Sequence, residues 1–170
     1  MCFTYCKLLL VYLFACATLN LNSQNSNLKS FFTLVELNCE NLFDCRHDSL
    51  KDDYEFLPEG SHHWTRGRYW KKLDNLSRTI AAIAENDKWP MVIGMCEVEN
   101  DSCLHDLTRR SPLRIAHYAY IHEEGQDVRG IDVAMLYDSL QFCLLGYETV
   151  SIPSAEHGYR PTRDILHVWG

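Results

Sequence analysis

Apolar residues recurring at spacings of four and three pick out one helix. Tyr69, Leu73, Leu76, Ile80 and Ile83 fall on a single stripe of the segment from Arg66 to Glu85. Thr65 stands at the N-cap position, and Asp87 and Pro90 predict the end. Elsewhere the period shortens to that of a strand. Phe31 to Leu37 alternates and bulks like a first strand, and its strand character gives way to polar side chains over Asn38 to Asp44. Trp89 to Ile93 is an apolar run containing a proline, and it reads as a buried strand leading into Gly94-Met95-Cys96-Glu97-Val98-Glu99-Asn100. A short helix is predicted over Asp101 to Arg110, capped by Asp101 or Ser102. Strands follow over Arg114 to His122, Ile131 to Tyr137 and Gln141 to Ile152, and a last one starts at Arg163. Arg46 to Ser61, broken by Pro58 and Gly60, reads as a surface loop, as does the stretch holding Pro153, Gly158 and Pro161. Strand, helix, strand, helix and then a run of strands describes an α/β domain with a mixed sheet and helices against it.

The N-terminus follows a different logic. One positive charge at Lys7 precedes the apolar run Leu8 to Ala17, and the polar stretch Asn20 to Asn27 comes next. That is the layout of a secretory signal, shorter than the ~20 apolar residues of a membrane span. Cleavage falls after Ala17 or later near Ser23; alternatively, Leu13-Phe14-Ala15-Cys16 resembles a lipobox, which would place a lipid anchor on Cys16. The expected layout is therefore a signal over 1–23, a linker over 24–30 and a domain over 31–170, with the protein exported.

Composition narrows the choice of chemistry. With 46% apolar and 23% charged residues in a chain of 170, the remainder suits one domain or a piece of one. The net charge of −7 provides no basic footprint for duplex binding. A nucleic-acid substrate would therefore need bound cations or a local basic cluster, which leaves a metal-dependent enzyme open. Of eight cysteines, Cys39, Cys45, Cys96, Cys103 and Cys143 lie beyond the leader. They form no C-x-x-C and their number is odd, so neither a zinc site nor a disulfide framework is indicated. Cys96, inside an apolar strand, is expected to pack as a small hydrophobe.

Glu97 is the leading candidate for chemistry. A carboxylate emerging from a buried strand is costly unless a charge meets it, and the carboxyl ends of strands are where ligands bind in open α/β sheets. Taken singly, Glu97 is either a metal ligand or a solvated strand-end acid, and Asn38 is either functional or a turn residue. Glu99 and Asn100 suit a cap of the next helix better than a metal. Asp132 alternates with apolar neighbours and faces a polar pocket or an ion-paired partner. His62-His63 lacks an evident third ligand. Trp64, Tyr69 and Trp70 offer surfaces for base stacking, although their helical spacing favours core or anchor roles.

Three motifs, in order, resemble the endonuclease/exonuclease/phosphatase superfamily, its secreted bacterial branch above all: Leu37-Asn38-Cys39-Glu40-Asn41-Leu42-Phe43-Asp44, Gly94 to Asn100, and Asp127-Val128-Arg129-Gly130-Ile131-Asp132-Val133-Ala134-Met135-Leu136-Tyr137. Arg160-Pro161-Thr162-Arg163-Asp164-Ile165-Leu166 fits the strand that follows them. The resemblance implies a four-layer α/β sandwich of the deoxyribonuclease I-like kind, here its N-terminal half. It implies a phosphodiesterase using Mg²⁺ or Mn²⁺, most simply a nuclease, with a phospholipid or sugar-phosphate phosphodiesterase as the alternative on the same scaffold. A non-catalytic envelope binding module is the rival outside enzymes. No stable protein partner is implied. By matched position, Glu97 and Asn38 would serve catalysis and metal binding, Glu40 would be a second acid near the metal, and Arg163 and Arg129 would face the substrate phosphate. Mg²⁺ needs few protein oxygens because it keeps its waters, and an arginine fork matches phosphate. The histidine, Asp-x-Asn and C-terminal Asp-His motifs of the family's second half are missing. Asp164 and His167 do not replace them by position, so the chain alone is expected to be inactive.

Overall fold

The computed structural model describes residues 32–84, 88–152 and 162–170. The expected signal, the 24–30 linker, Cys16, Asp87 and the Pro153–Pro161 loop lie outside the described residues. The domain is α/β, as its pattern predicts. Strands β1 (Leu34–Leu42), β2 (Val92–Val98), β3 (Ala119–His122) and β4 (Asp132–Tyr137) form one sheet in the order β1-β2-β4-β3. β1 and β2 run parallel, joined through helix α1 (Arg66–Ile83), while β4 is antiparallel to both β2 and β3. A parallel pair requires such a crossover, and a helix provides it. Strands β5 (Gly146–Val150) and β6 (Ile165–Trp169) make a separate antiparallel pair.

α1 forms where the stripe predicts and turns it inward, with Tyr69, Leu73, Leu76 and Ile80 all buried. Thr65 is the N-cap residue but its side chain makes no capping hydrogen bond. The stripe packs on Ile93, Met95, Ala134 and Leu136 of the sheet, together with Leu104, Leu107 and Leu113. On the opposite face Val92, Ile121 and Met135 meet Leu166 and Val168 of β6. The central sheet is thus covered by helices on one side and by the start of a second sheet on the other, which is the layering expected of the sandwich.

Several boundaries differ from expectation. β1 runs on through the polar residues to Leu42, because pairing with β2 supplies the ladder that propensity alone does not. The second helix, α2 (Asp101–His105), is capped by Asn100, whose Oδ1 accepts the Cys103 N–H at 3.0 Å, rather than by Asp101 or Ser102. It widens into a looser turn over Asp106–Arg110, where the Ser111 N–H reaches back five residues to the Asp106 carbonyl. Arg114 to Ala116 is helical rather than extended, since Pro112 opens a tight turn capped by Ser111, and only Ala119–His122 is strand. Likewise the strand expected from Gln141 begins at Gly146.

Candidate functional site

The site is built where two neighbouring strands break register together. Along β2, Ile93 and Met95 face the helix-side core, so strict alternation would drive Glu97 into that core too. A bulge prevents this: Cys96 pairs with Val133 and Val98 with Asp132, leaving Glu97 unpaired at φ +64°. Val98 takes the core position and the carboxylate is set free. β1 makes the matching adjustment. Asn38 pairs with Cys96 and Leu42 with Val98, and Glu40 and Asn41 between them sit at φ +53° and +63°. Left-handed backbone at a non-glycine residue costs about 1–2 kcal/mol, and such strain gathers at functional sites.

The strained turns converge on one carboxylate. Glu97 Oε1 accepts the Asn38 side-chain amide N–H at 3.2 Å and a guanidinium N–H of Arg163 at 3.4 Å. Glu97 Oε2 accepts the backbone N–H of Asn41 at 3.0 Å. A carboxylate has about four acceptor positions, so three partners fix its orientation and leave room for one more. Asn38 is itself held, its Oδ1 accepting the Glu40 N–H at 2.6 Å and keeping a second lone pair. Glu97 and Asn38 therefore keep oxygen lone pairs that could serve a hard divalent cation. Among the described residues no three His, Cys, Asp or Glu side chains gather into a closed metal cage.

The other expected site residues are placed differently. Glu40 brings its backbone to the site while its side chain stays exposed, with no hydrogen bond to Glu97. Arg129 turns its Nε and Nη2 edge onto Asp127, at 3.0 and 2.7 Å, and its backbone N–H to the same carboxylate at 2.9 Å. Asp127 is fully buried. Burial alone would raise its pKa, but the hydrogen bonds and charge of Arg129, with help from Arg163, hold it below the usual aspartate value. Asp127 thus positions Arg129 on the loop beside Arg163.

Two contributors escape sequence reading. The Asn41 N–H acts through the backbone, so its side-chain identity carries no signal. Lys72, a polar position on α1, donates Nζ to the Glu40 carbonyl at 2.7 Å. Burial lowers its pKa, opposed by the nearby negative charges of Glu40 and Glu97. Lys72 repeats four residues after Arg68 on the stripe's polar flank, a pattern that any solvated helix face shares.

Most of the remaining candidates take structural roles, and Asp132 is the exception. Glu99 is buried and accepts the Asp44 N–H at 2.6 Å, and burial pushes its pKa up to about 8. Asn100 alone takes the capping role. Asp132 is buried without an ion pair, both oxygens lacking a hydrogen-bond partner among the described residues. His62 stacks on Phe56 and faces Glu55. Trp64 donates its indole N–H to the Phe43 carbonyl, and Tyr69 and Trp70 pack against the core, so this aromatic group anchors α1.

No curated protein and no solved structure matches the chain. The model of the endonuclease/exonuclease/phosphatase family matches residues 33–170, spanning β1 to β6 and every residue of the Glu97 cluster. Members of that family are generally hydrolases of phosphoester bonds and typically depend on divalent metals. The chain belongs to the endonuclease/exonuclease/phosphatase family.

Proposed function

We propose that the Glu97 cluster is the metal- and phosphate-binding part of an Mg²⁺- or Mn²⁺-dependent phosphodiester hydrolase, acting outside the cytoplasm and most simply on nucleic acid. The observation that carries this reading is the Glu97 carboxylate, held in left-handed backbone by Asn38, Asn41 and Arg163 with one acceptor position to spare. Glu97 and the Asn38 carbonyl oxygen would hold the ion, with Glu40 as an exposed second acid on the same turn. The bound ion would supply Lewis-acid stabilisation of a phosphoryl oxygen.

The chain's own residues bind and orient. Asn38 and the Asn41 N–H fix the carboxylate. Arg163 spends one donor on Glu97, and Arg129 spends one edge on Asp127. Each guanidinium carries five donors, so both keep N–H groups for phosphate oxygens. The groups bonded to Glu97 are an amide, a backbone N–H and a guanidinium, none of which accepts a proton from water, and the Glu40 carboxylate on the same turn is exposed and makes no hydrogen bond to Glu97. We expect this chain to bind metal and phosphate without turning substrate over. The leader pattern of residues 1–23 supports export.

The test is Mn²⁺ titration of the purified chain alongside Glu97→Ala. Loss of binding on substitution supports the reading, and unchanged affinity refutes it. Competition by DNA, RNA and sphingomyelin then separates a nuclease from a phospholipid phosphodiesterase. Turnover of any of them by this chain would overturn the expectation of inactivity.

A further inference from the structure

The hydrogen bonds of Lys72 and Glu97 meet on one peptide group. Lys72 donates to the carbonyl of Glu40, and the N–H that Glu97 Oε2 accepts is that of Asn41. The Glu40 carbonyl and the Asn41 N–H are the two ends of a single planar, trans peptide unit, so they point in opposite directions. Rotating that unit breaks both bonds at once. The unit links two residues at positive φ, 53° and 63°; its rotation changes ψ of Glu40 and φ of Asn41, so a flip would relieve the strain at Asn41. Something must hold it in place. Lys72 is suited to that task because its stem rises from a packed helix whose neighbouring residue, Leu73, is fully buried. Its ammonium also sits 5.8 Å from the centroid of the Trp64 ring, and Trp64 itself donates to the carbonyl of Phe43, two residues past Asn41, at 2.8 Å.

We propose that Lys72 is a positioning residue: by fixing and polarising the Glu40–Asn41 peptide it holds the Asn41 N–H on Glu97 Oε2, and so sets the orientation in which Glu97 receives a metal. A cation on the carbonyl end of a peptide draws electron density from the N–H end, and bonds in such a chain strengthen one another. Partners that orient a metal ligand commonly contribute about 10–100-fold to affinity. The metal arm of this inference rests on the function proposed above; the peptide arm does not.

The full chain is compared with Lys72→Met, which keeps the stem and loses the charge, and with Lys72→Arg, which keeps the charge. Two readouts are taken: the Asn41 amide resonance in metal-free protein and Mn²⁺ affinity. In Lys72→Met the Asn41 amide proton should move upfield as its hydrogen bond weakens, and Mn²⁺ affinity should fall about tenfold. Lys72→Arg should largely restore both. A simple charge effect predicts the reverse for the metal, because removing a cation near the site would tighten Mn²⁺ binding. Tighter or unchanged Mn²⁺ binding in Lys72→Met, or an unmoved Asn41 resonance, would overturn the proposal. If the unsubstituted chain binds no Mn²⁺, the functional reading fails, and the Asn41 resonance alone still decides whether Lys72 holds the peptide.

Discussion

Removing the Asp127 carboxylate tests how the loop carrying Arg129 is held. Asp127 is fully buried and accepts three N–H groups, all from Arg129. Charge-assisted hydrogen bonds contribute about 1.5–3 kcal/mol each when well formed, and stripping one partner from a buried pair costs about 3–5 kcal/mol. The Arg129 side chain is 47% exposed, so water recovers much of its lost bonding and the cost must be discounted. Asp127→Ala should therefore destabilise the domain by about 2–3 kcal/mol, and Asp127→Asn, which keeps an acceptor, by about 1–2 kcal/mol. At roughly 2–4 °C per kcal/mol for a chain of this size, the alanine variant should melt roughly 4–12 °C lower. The pH dependence has a definite sign. Asp127 has a lower pKa folded than unfolded, so its contribution is complete above the ordinary aspartate pKa of about 4 and is lost as pH falls through the folded value. The gap between parent and Asp127→Asn should stay constant from neutral pH down to about 5 and close in stronger acid. Urea denaturation across that range measures it. An alanine variant within about 0.5 kcal/mol of the parent at pH 7 would refute the account of Asp127 as the group that holds Arg129.

Three further outcomes follow from particular contacts. Glu97→Gly and Glu97→Ala should both lose Mn²⁺ binding, yet the glycine variant should be the more stable by about 1 kcal/mol, because only glycine adopts φ +64° freely; equal melting temperatures would remove the claim of strain. Tyr118 is fully buried and donates to the Pro90 carbonyl at 2.6 Å, so Tyr118→Phe should cost about 1–2 kcal/mol in chemical denaturation by orphaning that carbonyl. Asn100→Ala should cost about 1 kcal/mol through loss of the α2 cap, whereas Asp101→Ala and Ser102→Ala should stay within about 0.5 kcal/mol.

What the chain reveals before folding depends on the kind of signal each residue carries. The α1 stripe is legible because its period comes from burial on one face, and Tyr69, Leu73, Leu76 and Ile80 are all buried as that period requires. Glu97 is legible for the opposite reason, as a charge where burial is expected. The strand ends were less so. Arg114 to His122 has enough alternation for a strand, but Pro112 starts a tight turn that consumes its first residues. Asn38 to Leu42 looks too polar for a strand, and only the partner strand β2 makes it one. Lys72 and the Asn41 N–H were hidden altogether. One is a lysine on the polar flank of a helix, indistinguishable in sequence from a solvated one, and the other acts through the backbone, where every residue but proline looks alike.

The deeper reason those contributors are hidden is that the site depends on an offset shared by two strands. Core residues recur after three positions on both, Cys39 to Leu42 on β1 and Met95 to Val98 on β2. A regular strand would repeat after two or four. Had only β2 bulged, Glu97 would have left the core but met a regular neighbour whose peptide N–H groups were committed to the ladder. Because β1 also departs from register, its Glu40–Asn41 peptide is released from strand pairing and can turn its N–H toward Glu97 and its carbonyl toward Lys72. The strain at Glu40, Asn41 and Glu97 is therefore one cost rather than three. It is the cost of removing a single peptide and a single carboxylate from the sheet so that each can bond to the other.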